Sequence, residues 1–377
     1  MNARFVDIIA GARPNFMKVA PIIRAIDGLK AAGSDLDWRL VHTGQHYDRR
    51  MSEDFFEQLG IPTPQVNLGV GSGSHAEQTA AIMMGYERLL LDGRCGMCLV
   101  VGDVTSTMAC AIAAQKLHVP VCHVEGGIRS GDWTMPEEIN RLVTDAITDH
   151  FFTTSEVANA NLRLGGVPDD RIHFVGNTMI DTLLANMGRF RPPACVEGLG
   201  LERGSYLVLT LHRPGNVDDP ASLRALIDAI GGASGGRRVV FPVHPRTAKM
   251  LERIGALPES FVTIEPQPYL EFNWLVQHSL GVITDSGGVT EEATVMGVPC
   301  MTLRTSTERP ETVTIGTNEL LGTDPAAIGP ALARLLAGTW KKGSIPPLWD
   351  GKTAGRIATV LDRLVGRPNH TLRRRAS

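Results

Sequence analysis

Short runs of β-branched and other apolar residues alternate with longer amphipathic stretches along this chain, and this alternation constrains its fold more than any other feature. Short apolar runs are typical of buried strands, whereas an apolar period of about 3.6 residues is typical of helices. Strands that alternate with helices predict a parallel sheet whose strands are joined by helical crossovers. The sequence therefore predicts an α/β fold.

The alternation occurs twice, once in each half of the chain. The first half predicts strands near residues 6–10, 39–43, 97–102, 119–124 and 150–153, with helices near 17–29, 52–59, 76–91, 106–117 and 137–148. The second half predicts strands near 206–211, 239–243, 262–264 and 280–284, with helices near 221–230, 247–254, 269–278 and 289–296.

The length of 377 residues exceeds one compact domain and suits two of roughly 150–200 residues each. The segment 188–204, with Arg-Pro-Pro at 191–193, falls between the two halves. We therefore predict two doubly wound domains, 1–175 and 176–355, that face one another across a cleft, followed by a terminal segment 356–377. Ligands of such sheets bind beyond the carboxyl ends of the strands.

Composition excludes several classes of protein. Apolar residues make up 43% of the chain and charged residues 20%, which is typical of a folded domain. The net charge of −3 provides no field for nucleic acid or an anionic membrane. The first residues lack the pattern of a signal peptide, and the uncharged run 104–115 is too short to span a bilayer. We expect a cytoplasmic protein with neither a nucleic-acid nor a membrane partner.

Six cysteines are too few for a disulfide scaffold in a chain of this length. Cys95 and Cys98 form a single CxxC, and no second pair or suitably spaced histidines lie nearby to complete a zinc site. We interpret both as buried or incidental thiols, with a redox role as the alternative. No metal site is predicted.

Charged residues follow several predicted strands of the first half. Arg13 and Lys18 come after the first strand, beside a glycine and a proline that suit an anion site at a helix N-terminus, although an ordinary turn fits as well. Asp103 follows the third strand as either a functional carboxylate or an N-cap. Glu125 lies between a buried strand and two glycines, and a buried carboxylate requires a partner or a task. Glu137 opens a helix, where acidic residues also complement the helix dipole.

The second half places histidines and a small-residue turn at its strand ends. His212 with Arg213, and His244 with Arg246, each combine a histidine with a cation, which favours phosphate chemistry. A strand, a turn and a helix start follow at 284–292; the backbone amides there suit a diphosphate and the carboxylate one turn later suits ribose hydroxyls. Neither half begins with GxGxxG, which weighs against a tightly bound NAD.

The ordered series of motifs resembles the non-hydrolysing UDP-N-acetylglucosamine 2-epimerases from about residue 5 to 365. The motifs are Gly11-Ala-Arg-Pro, His42-Thr-Gly-Gln-His46, Gly102-Asp103, His123-Val-Glu125, Pro136-Glu-Glu-Ile-Asn-Arg141, Gly176-Asn177-Thr, Leu211-His-Arg213, His244-Pro, Asp285-Ser-Gly-Gly-Val-Thr-Glu-Glu292 and Thr307-Glu-Arg-Pro-Glu311.

The resemblance implies a GT-B-like pair of Rossmann-type domains, a homodimer, and a C-terminal helix that crosses back to the first domain. It also implies reversible epimerisation of UDP-N-acetylglucosamine to UDP-N-acetylmannosamine, for cell-surface polysaccharide precursors, by elimination and re-addition of UDP without NAD or metal. The implied acid–base residues are Asp103, Glu125, Glu137 and His212. The implied substrate-binding residues are Arg13, Lys18, Arg141, Arg213, His244, Arg309, the diphosphate turn Ser286, Gly287 and Gly288, and Glu292 at the ribose.

Three alternatives stay open. A GT-B glycosyltransferase would transfer the sugar of a UDP-sugar to an acceptor, and a sensor would bind the nucleotide sugar without reaction. Three strand-end carboxylates argue against both, since neither needs them. A relative that epimerises UDP-2,3-diacetamido-glucuronic acid shares several motifs, and this chain has Pro214-Gly215-Asn216 after His212-Arg213 where many family members continue Arg-Glu.

Overall fold

The computed structural model describes residues 4–44 and 58–365, without the side chains of Arg4 and Arg13. Contacts divide the chain into two compact units, Met1–Thr182 with Pro347–Ser377 (unit 1) and Leu183–Pro346 (unit 2). The sequence places these divisions a few residues away, after 175 and after 355. The predicted helix at 52–59 falls almost wholly outside the described residues.

Unit 1 contains a parallel sheet that, in the described residues, has the strand order β3-β2-β1-β4-β5-β6-β7. Its strands are β1 (Arg4–Ala10), β2 (Leu36–His42), β3 (Val66–Asn67), β4 (Cys95–Val101), β5 (Val121–Val124), β6 (His150–Thr153) and β7 (Ile172–Phe174). Its helices are α1 (Arg13–Ala31), α2 (His75–Leu90), α3 (Thr105–Lys116), α4 (Pro136–Ile147) and α5 (Glu156–Leu164). The chain passes into unit 2 within α6 (Thr178–Asn186).

Unit 2 repeats this plan with the strand order β10-β9-β8-β11-β12-β13. Its strands are β8 (Tyr206–Thr210), β9 (Arg238–Pro242), β10 (Phe261–Ile264), β11 (Gly281–Thr284), β12 (Cys300–Thr302) and β13 (Asn318–Leu320). Its helices are α7 (Pro214–Val217), α8 (Pro220–Ala233), α9 (Pro245–Ile254), α10 (Tyr269–His278), α11 (Gly287–Met296), α12 (Pro310–Thr314) and α13 (Ile328–Leu336).

Each sheet reverses its strand order at one point, between β1 and β4 in unit 1 and between β8 and β11 in unit 2. All described strand pairs are parallel, so the carboxyl ends of neighbouring strands lie at one edge of each sheet. This is the Rossmann arrangement, in which ligands bind at the reversal point. The predicted α/β fold with two Rossmann-like units is confirmed.

The last helix, α14 (Thr353–Val365), belongs to unit 1 and packs against α1. Trp349 is buried just before this helix, and its indole Nε1 donates to the carbonyl of Thr154 at 3.0 Å. The chain therefore returns to unit 1 after unit 2 is complete. Within 4–44 and 58–365, every helix is too short or too polar to span a membrane.

Candidate active site

Asn15 joins the first turn of α1 to the end of β4. Its side-chain Oδ1 accepts hydrogen bonds from the amides of Gly11 at 3.2 Å and Ala12 at 2.9 Å. Its Nδ2 donates to the carbonyl of Val101 at 3.1 Å. Asn15 thus fixes both sides of the reversal point in unit 1, where β1 and β4 end side by side.

Glu125 and Lys18 form an ion pair next to this point. Lys18 Nζ lies 2.8 Å from Glu125 Oε2, and both side chains are largely buried. Glu125 has φ of 73°, in the left-handed region that a residue with a Cβ rarely adopts. Such strain in a buried carboxylate at a strand end is typical of functional positions. A Cβ on neighbouring Gly102 would lie 3.4 Å from Lys18 Nζ, and Gly102 itself has φ of +69°, so this position requires glycine.

Asp103 lies in a network with Arg141 and Glu138. The buried Arg141 guanidinium contacts the carboxylate of Asp103 through Nη2 and that of Glu138 through Nη1, the latter at 2.7 Å. Glu138 also accepts hydrogen bonds from the amide and hydroxyl of Ser130 and from the amide of Gly131. Burial raises the pKa of Glu138, but these hydrogen bonds and Arg141 outweigh burial and lower it overall. Glu138 therefore anchors both the loop before α4 and the arginine that holds Asp103.

Glu137 differs from its neighbour Glu138. It lies in the first turn of α4 with a partly exposed side chain. Among the described residues, Glu137 makes no hydrogen bond or ion pair, whereas Glu138 is buried and fully engaged. Glu137 is thus the predicted acid–base carboxylate that is available without breaking a contact.

His123, near the end of β5, contacts both α4 and the residue that follows β4. Its Nδ1 lies 2.7 Å from Asp145 Oδ1, and its Nε2 lies 2.8 Å from the carbonyl oxygen of Gly102. Asp145 also accepts from the amide of Gly127 at 3.0 Å and from Arg129 at 2.6 Å. Burial raises the pKa of Asp145, but His123 and Arg129 lower it further than burial raises it. These contacts fix the backbone on either side of Asp103 and Glu125.

Asp285 is the centre of the corresponding point in unit 2. Its carboxylate is fully buried and accepts hydrogen bonds from the amides of His212 and Arg213 and from Asn216 Nδ2. Asp285 Oδ1 also lies 2.7 Å from His212 Nδ1. Asp285 thus joins the end of β11 to the end of β8, and it holds both the backbone and the ring of His212.

The predicted diphosphate turn, Ser286 to Gly288, lies at the start of α11. Ser286 provides no side-chain cap, and its amide donates to the hydroxyl of Thr284 at 3.0 Å. Arg304 and Glu308 form a bidentate ion pair at 2.7 Å beside this turn, since a Cβ on Gly287 would lie 3.9 Å from each. A helix N-terminus without a side-chain cap favours an anion, whereas the charge of Arg304 is already balanced by Glu308.

Glu292, the predicted ribose ligand, is buried one turn further along α11. Burial raises its pKa to about 7, in spite of the opposing effect of the Tyr269 hydroxyl and with a further increase from Glu291. Adjacent Glu291 pairs with the buried Arg309, whose Nε lies 2.8 Å from Glu291 Oε1. A role of Arg309 toward a substrate stays a prediction, as does that of Arg141.

His244 and Arg213 border His212. The His244 ring is exposed at the start of α9, and its centroid lies 6.1 Å from that of the His212 ring. Burial, His212 and Arg246 together lower the pKa of His244. Arg213 donates its backbone amide to Asp285, and its side chain is half-buried. The side chain of Arg13 lies outside what the structure describes.

The two cysteines of the CxxC form no disulfide, and burial raises the pKa of both thiols. This disfavours the thiolate that redox chemistry requires. Across 4–44 and 58–365, no three His, Cys, Asp or Glu side chains group closely enough to hold a metal ion.

Sequence reasoning missed the residues that hold the predicted ones in place, above all Asn15, Glu138, Asp145 and Asp285. The sequence marks these residues only by where they lie. Each belongs to a motif that drew attention for a neighbouring residue, or to the helix that follows such a motif. No local pattern indicates the distant partners of Asn15, Asp145 and Asp285, and the partners of Glu138 lie in the irregular loop before its helix and within the helix itself. The predicted residues thus lie at strand ends, and the missed ones supply the contacts between them.

Two Rossmann-like units, with the Glu125–Lys18 ion pair beside one reversal point and His212 and an uncapped helix N-terminus beside the other, place the chain among the GT-B-like α/β proteins. The family model described as UDP-N-acetylglucosamine 2-epimerase matches residues 29–362. The chain belongs to the UDP-N-acetylglucosamine 2-epimerase family.

Individual relatives cover nearly the whole chain. The UDP-N-acetylglucosamine 2-epimerase of Methanocaldococcus jannaschii is 38% identical over 94% of this chain and 98% of its own length. The UDP-2,3-diacetamido-2,3-dideoxy-D-glucuronate 2-epimerase of Pseudomonas aeruginosa is 41% identical over 94% and 99%. The crystal structure of the Methanocaldococcus jannaschii enzyme in complex with UDP-GlcNAc and UDP has a TM-score of 0.83 over 95% of this chain and 99% of that one.

Proposed function

We propose that this protein interconverts UDP-N-acetylglucosamine and UDP-N-acetylmannosamine by inverting carbon 2 of the sugar. The observation that carries this proposal is the set of three carboxylates that follow β4 and β5 in unit 1, within a chain of this family. Asp103 and Glu125 are each held by a buried or largely buried cation, and Glu137 lies one turn from Arg141. A module that only binds UDP needs no such set.

The chemistry requires these groups because the proton on carbon 2 is only weakly acidic. In the proposed elimination, a carboxylate removes this proton and the C–H electron pair forms the double bond between carbons 1 and 2. The bond from carbon 1 to the β-phosphate oxygen breaks at the same time, so that UDP leaves with that electron pair and 2-acetamidoglucal remains. UDP then adds back while a carboxylic acid returns a proton to the other face.

Unit 2 suits the nucleotide. The α11 N-terminus with Ser286, Gly287 and Gly288 would receive the diphosphate, and Glu292 would accept hydrogen bonds from the ribose hydroxyls. His212 would stabilise the charge that grows on the diphosphate as UDP leaves. Arg13 and Lys18 are the further cations that the family resemblance assigns to the phosphates.

A proton NMR time course on UDP-N-acetylglucosamine in deuterated water tests this proposal. We expect UDP-N-acetylmannosamine to accumulate to equilibrium, and the product to carry deuterium at carbon 2. Product without deuterium would exclude an exchangeable base, and an unchanged spectrum would contradict the proposal. Transfer of the sugar to an added acceptor would favour a glycosyltransferase instead.

The sugar itself has a second candidate, UDP-2,3-diacetamido-2,3-dideoxy-D-glucuronate. The relative named for that substrate is 41% identical to this chain, against 38% for the archaeal UDP-N-acetylglucosamine enzyme. Parallel time courses with both UDP-sugars decide between them by the ratio of kcat/KM. The resemblance also implies a homodimer, which light scattering on the purified chain tests.

A further inference from the structure

The Asp285 carboxylate accepts hydrogen bonds from several separate donors. It lies directly after β11, is fully buried, and accepts from two backbone amides and from Asn216. Asn216 is itself anchored, because its Nδ2 also donates to the carbonyl of Leu303 at 3.0 Å. The position of the carboxylate is therefore fixed from several directions, independently of the His212 ring.

The contact between the Asp285 carboxylate and the His212 ring determines which ring nitrogen carries a proton. Burial raises the pKa of Asp285, but His212 and the amide donors lower it further than burial raises it, so the group is ionised. An ionised carboxylate only accepts hydrogen bonds, so the ring nitrogen 2.7 Å from Asp285 Oδ1 must be Nδ1–H. The other nitrogen, Nε2, is thereby left for a ligand, and the ring is 41% exposed.

The surroundings of the pair contain little that would compete for Nδ1. The His244 ring lies 6.1 Å away between centroids, and the side chain of Arg246 is taken up by a bidentate pair with Asp218 on the surface. The hydroxyls of Thr284 and Thr210 are engaged with each other at 2.6 Å. Asp285 is the carboxylate that the structure places against the His212 ring.

We propose that Asp285 is a positioning residue that fixes the orientation and the tautomer of His212. The carboxylate holds Nδ1–H and so presents Nε2 to the ligand, as buried carboxylates do for histidines at metal and hydrolytic sites. The expected effect on turnover rests on the proposed function, in which His212 stabilises the departing diphosphate. The assignment of the tautomer does not rest on the proposed function.

Nitrogen-15 NMR of histidine-labelled protein tests the tautomer without any substrate. His212 is assigned by the signal lost in the His212→Gln variant. We expect a protonated Nδ1 and an unprotonated Nε2 in the neutral ring of the native protein, and a mixture of tautomers in Asp285→Asn. An Nδ1 without a proton in the native protein would overturn the proposal, even if the enzyme is an active epimerase and even if the variant does not fold.

A double-mutant cycle tests the positioning role in turnover. We expect Asp285→Asn to lower kcat on the order of 10²-fold or more with a smaller change in KM, and to cause no further loss in a His212→Gln background. Asp218→Asn is the matched control, since Asp218 lies two residues from Asn216 and its ion pair in the described part of the chain is with the exposed Arg246; this variant should leave kcat unchanged. Equal losses in both backgrounds would show that Asp285 acts on folding rather than through His212.

The two experiments separate this proposal from the proposed function. If the native protein epimerises neither UDP-sugar, the proposed function fails while the NMR measurement still decides the tautomer. If epimerisation occurs and the Asp285→Asn loss is independent of His212, the positioning role fails and the epimerase stands.

Discussion

At the scale of single residues, the three acid–base candidates differ in what they hold in place. Glu125 neutralises Lys18 and Asp103 neutralises Arg141, and both cations are buried or nearly so. Glu137 neutralises nothing among the described residues. Removal of Glu125 takes away the carboxylate that pairs with the largely buried Lys18, which is destabilising. Arg141 keeps its ion pair with Glu138 when Asp103 is removed, so that loss is smaller. Removal of Glu137 breaks no ion pair among the described residues.

We therefore expect the amide variants to fall into two groups. Glu137→Gln should lower turnover on the order of 10²–10⁴-fold and change the urea unfolding midpoint only slightly, since it breaks no ion pair and weakens only the interaction with the helix dipole. Glu125→Gln should lower turnover similarly and also lower the free energy of unfolding, by about 1–3 kcal/mol. Asp103→Asn should lower turnover with a smaller loss of stability, because Arg141 keeps its ion pair with Glu138. Turnover assays and urea titrations of the same preparations measure both effects. Normal turnover in Glu137→Gln would remove it from the acid–base set.

Glu292 leads to a second expectation, on the pH dependence of UDP binding. Its pKa of about 7 means that the carboxylate gains its charge between pH 6 and 8 in the free protein. The ionised form accepts hydrogen bonds from ribose hydroxyls more strongly than the neutral acid, so affinity for UDP should rise with pH through this range. Calorimetric titrations with UDP measure the affinity. The Glu292→Gln variant, which removes only this titration and keeps that of the phosphate, should show a flatter profile.

The residue scale also shows what sequence reasoning can reach. Asp103, Glu125 and His212 were predicted because a charged residue directly after a buried apolar run stands out. The pairing of Lys18 with Glu125 was not predictable, because it joins positions 107 residues apart and depends on the order of strands in the sheet. The sequence predicts that Arg141 contacts a substrate, and this stays a prediction; that its guanidinium bridges two carboxylates of the protein was not predictable. A cation's residue type does not reveal which anion it meets.

At the scale of elements, most strands of four residues or more are predictable from the sequence, whereas strands of two or three residues are not. β6 and α10 agree with the predicted bounds, since their apolar patterns are unbroken. The strands β3, β7, β12 and β13 have only two or three residues, too few for a periodic pattern. These segments are strands because a neighbouring strand supplies their hydrogen bonds. The sequence of such a short segment does not show which strand will lie beside it.

The attachment of α14 leads to a third expectation. Asp181 on α6 accepts hydrogen bonds from the amides of Thr353 at 3.1 Å and Ala354 at 2.7 Å, and so caps the start of α14 from a distant segment. Because these amides have no intrahelical partner, Asp181→Ala should lower the free energy of unfolding by about 1–2 kcal/mol. Urea unfolding measures this change. Asp181→Asn keeps an acceptor oxygen and should lose less, and an equal loss in both variants would contradict capping.

At the scale of the whole molecule, the two units differ in how acid affects them. In unit 1, burial is the main cause that lowers the pKa of His150 from 6.5 to about 4, with His173 and Arg171 adding to it and Asp149 and Asp170 opposing. Burial lowers the pKa of His173 and His42 as well. As pH falls from 6.5 toward 4, these histidines bind protons in the unfolded chain but stay neutral in the folded one, so unit 1 loses stability over this range.

Unit 2 contains a titrating group, Glu292, whose effect on stability at low pH is opposite to that of these histidines. Burial raises the pKa of Glu292 from 4.5 to about 7, so below pH 7 the folded unit binds a proton that the unfolded chain does not. By linkage, this group makes unit 2 more stable as pH falls from 7 to 4.5. Asp181 in unit 1 has a pKa raised by burial and acts in the same direction as Glu292, against the histidines.

In unit 2, His244 also has a lowered pKa and opposes Glu292, but its ring is exposed, so we expect Glu292 to dominate there. The two units should therefore respond in opposite directions between pH 6.5 and 4.5. His150 alone is worth up to about 3 kcal/mol of unit 1 stability across its window, and Glu292 is of similar size in unit 2. Hydrogen exchange at several pH values, corrected for the intrinsic rate, should show loss of protection in β6 and β7 and a gain in β8 and β11. His150→Gln should flatten the first trend and Glu292→Gln the second, each without affecting the other. Parallel trends in both units, unchanged by either variant, would contradict the assignment, because opposite slopes require two groups whose folded pKa values lie on opposite sides of their unfolded ones.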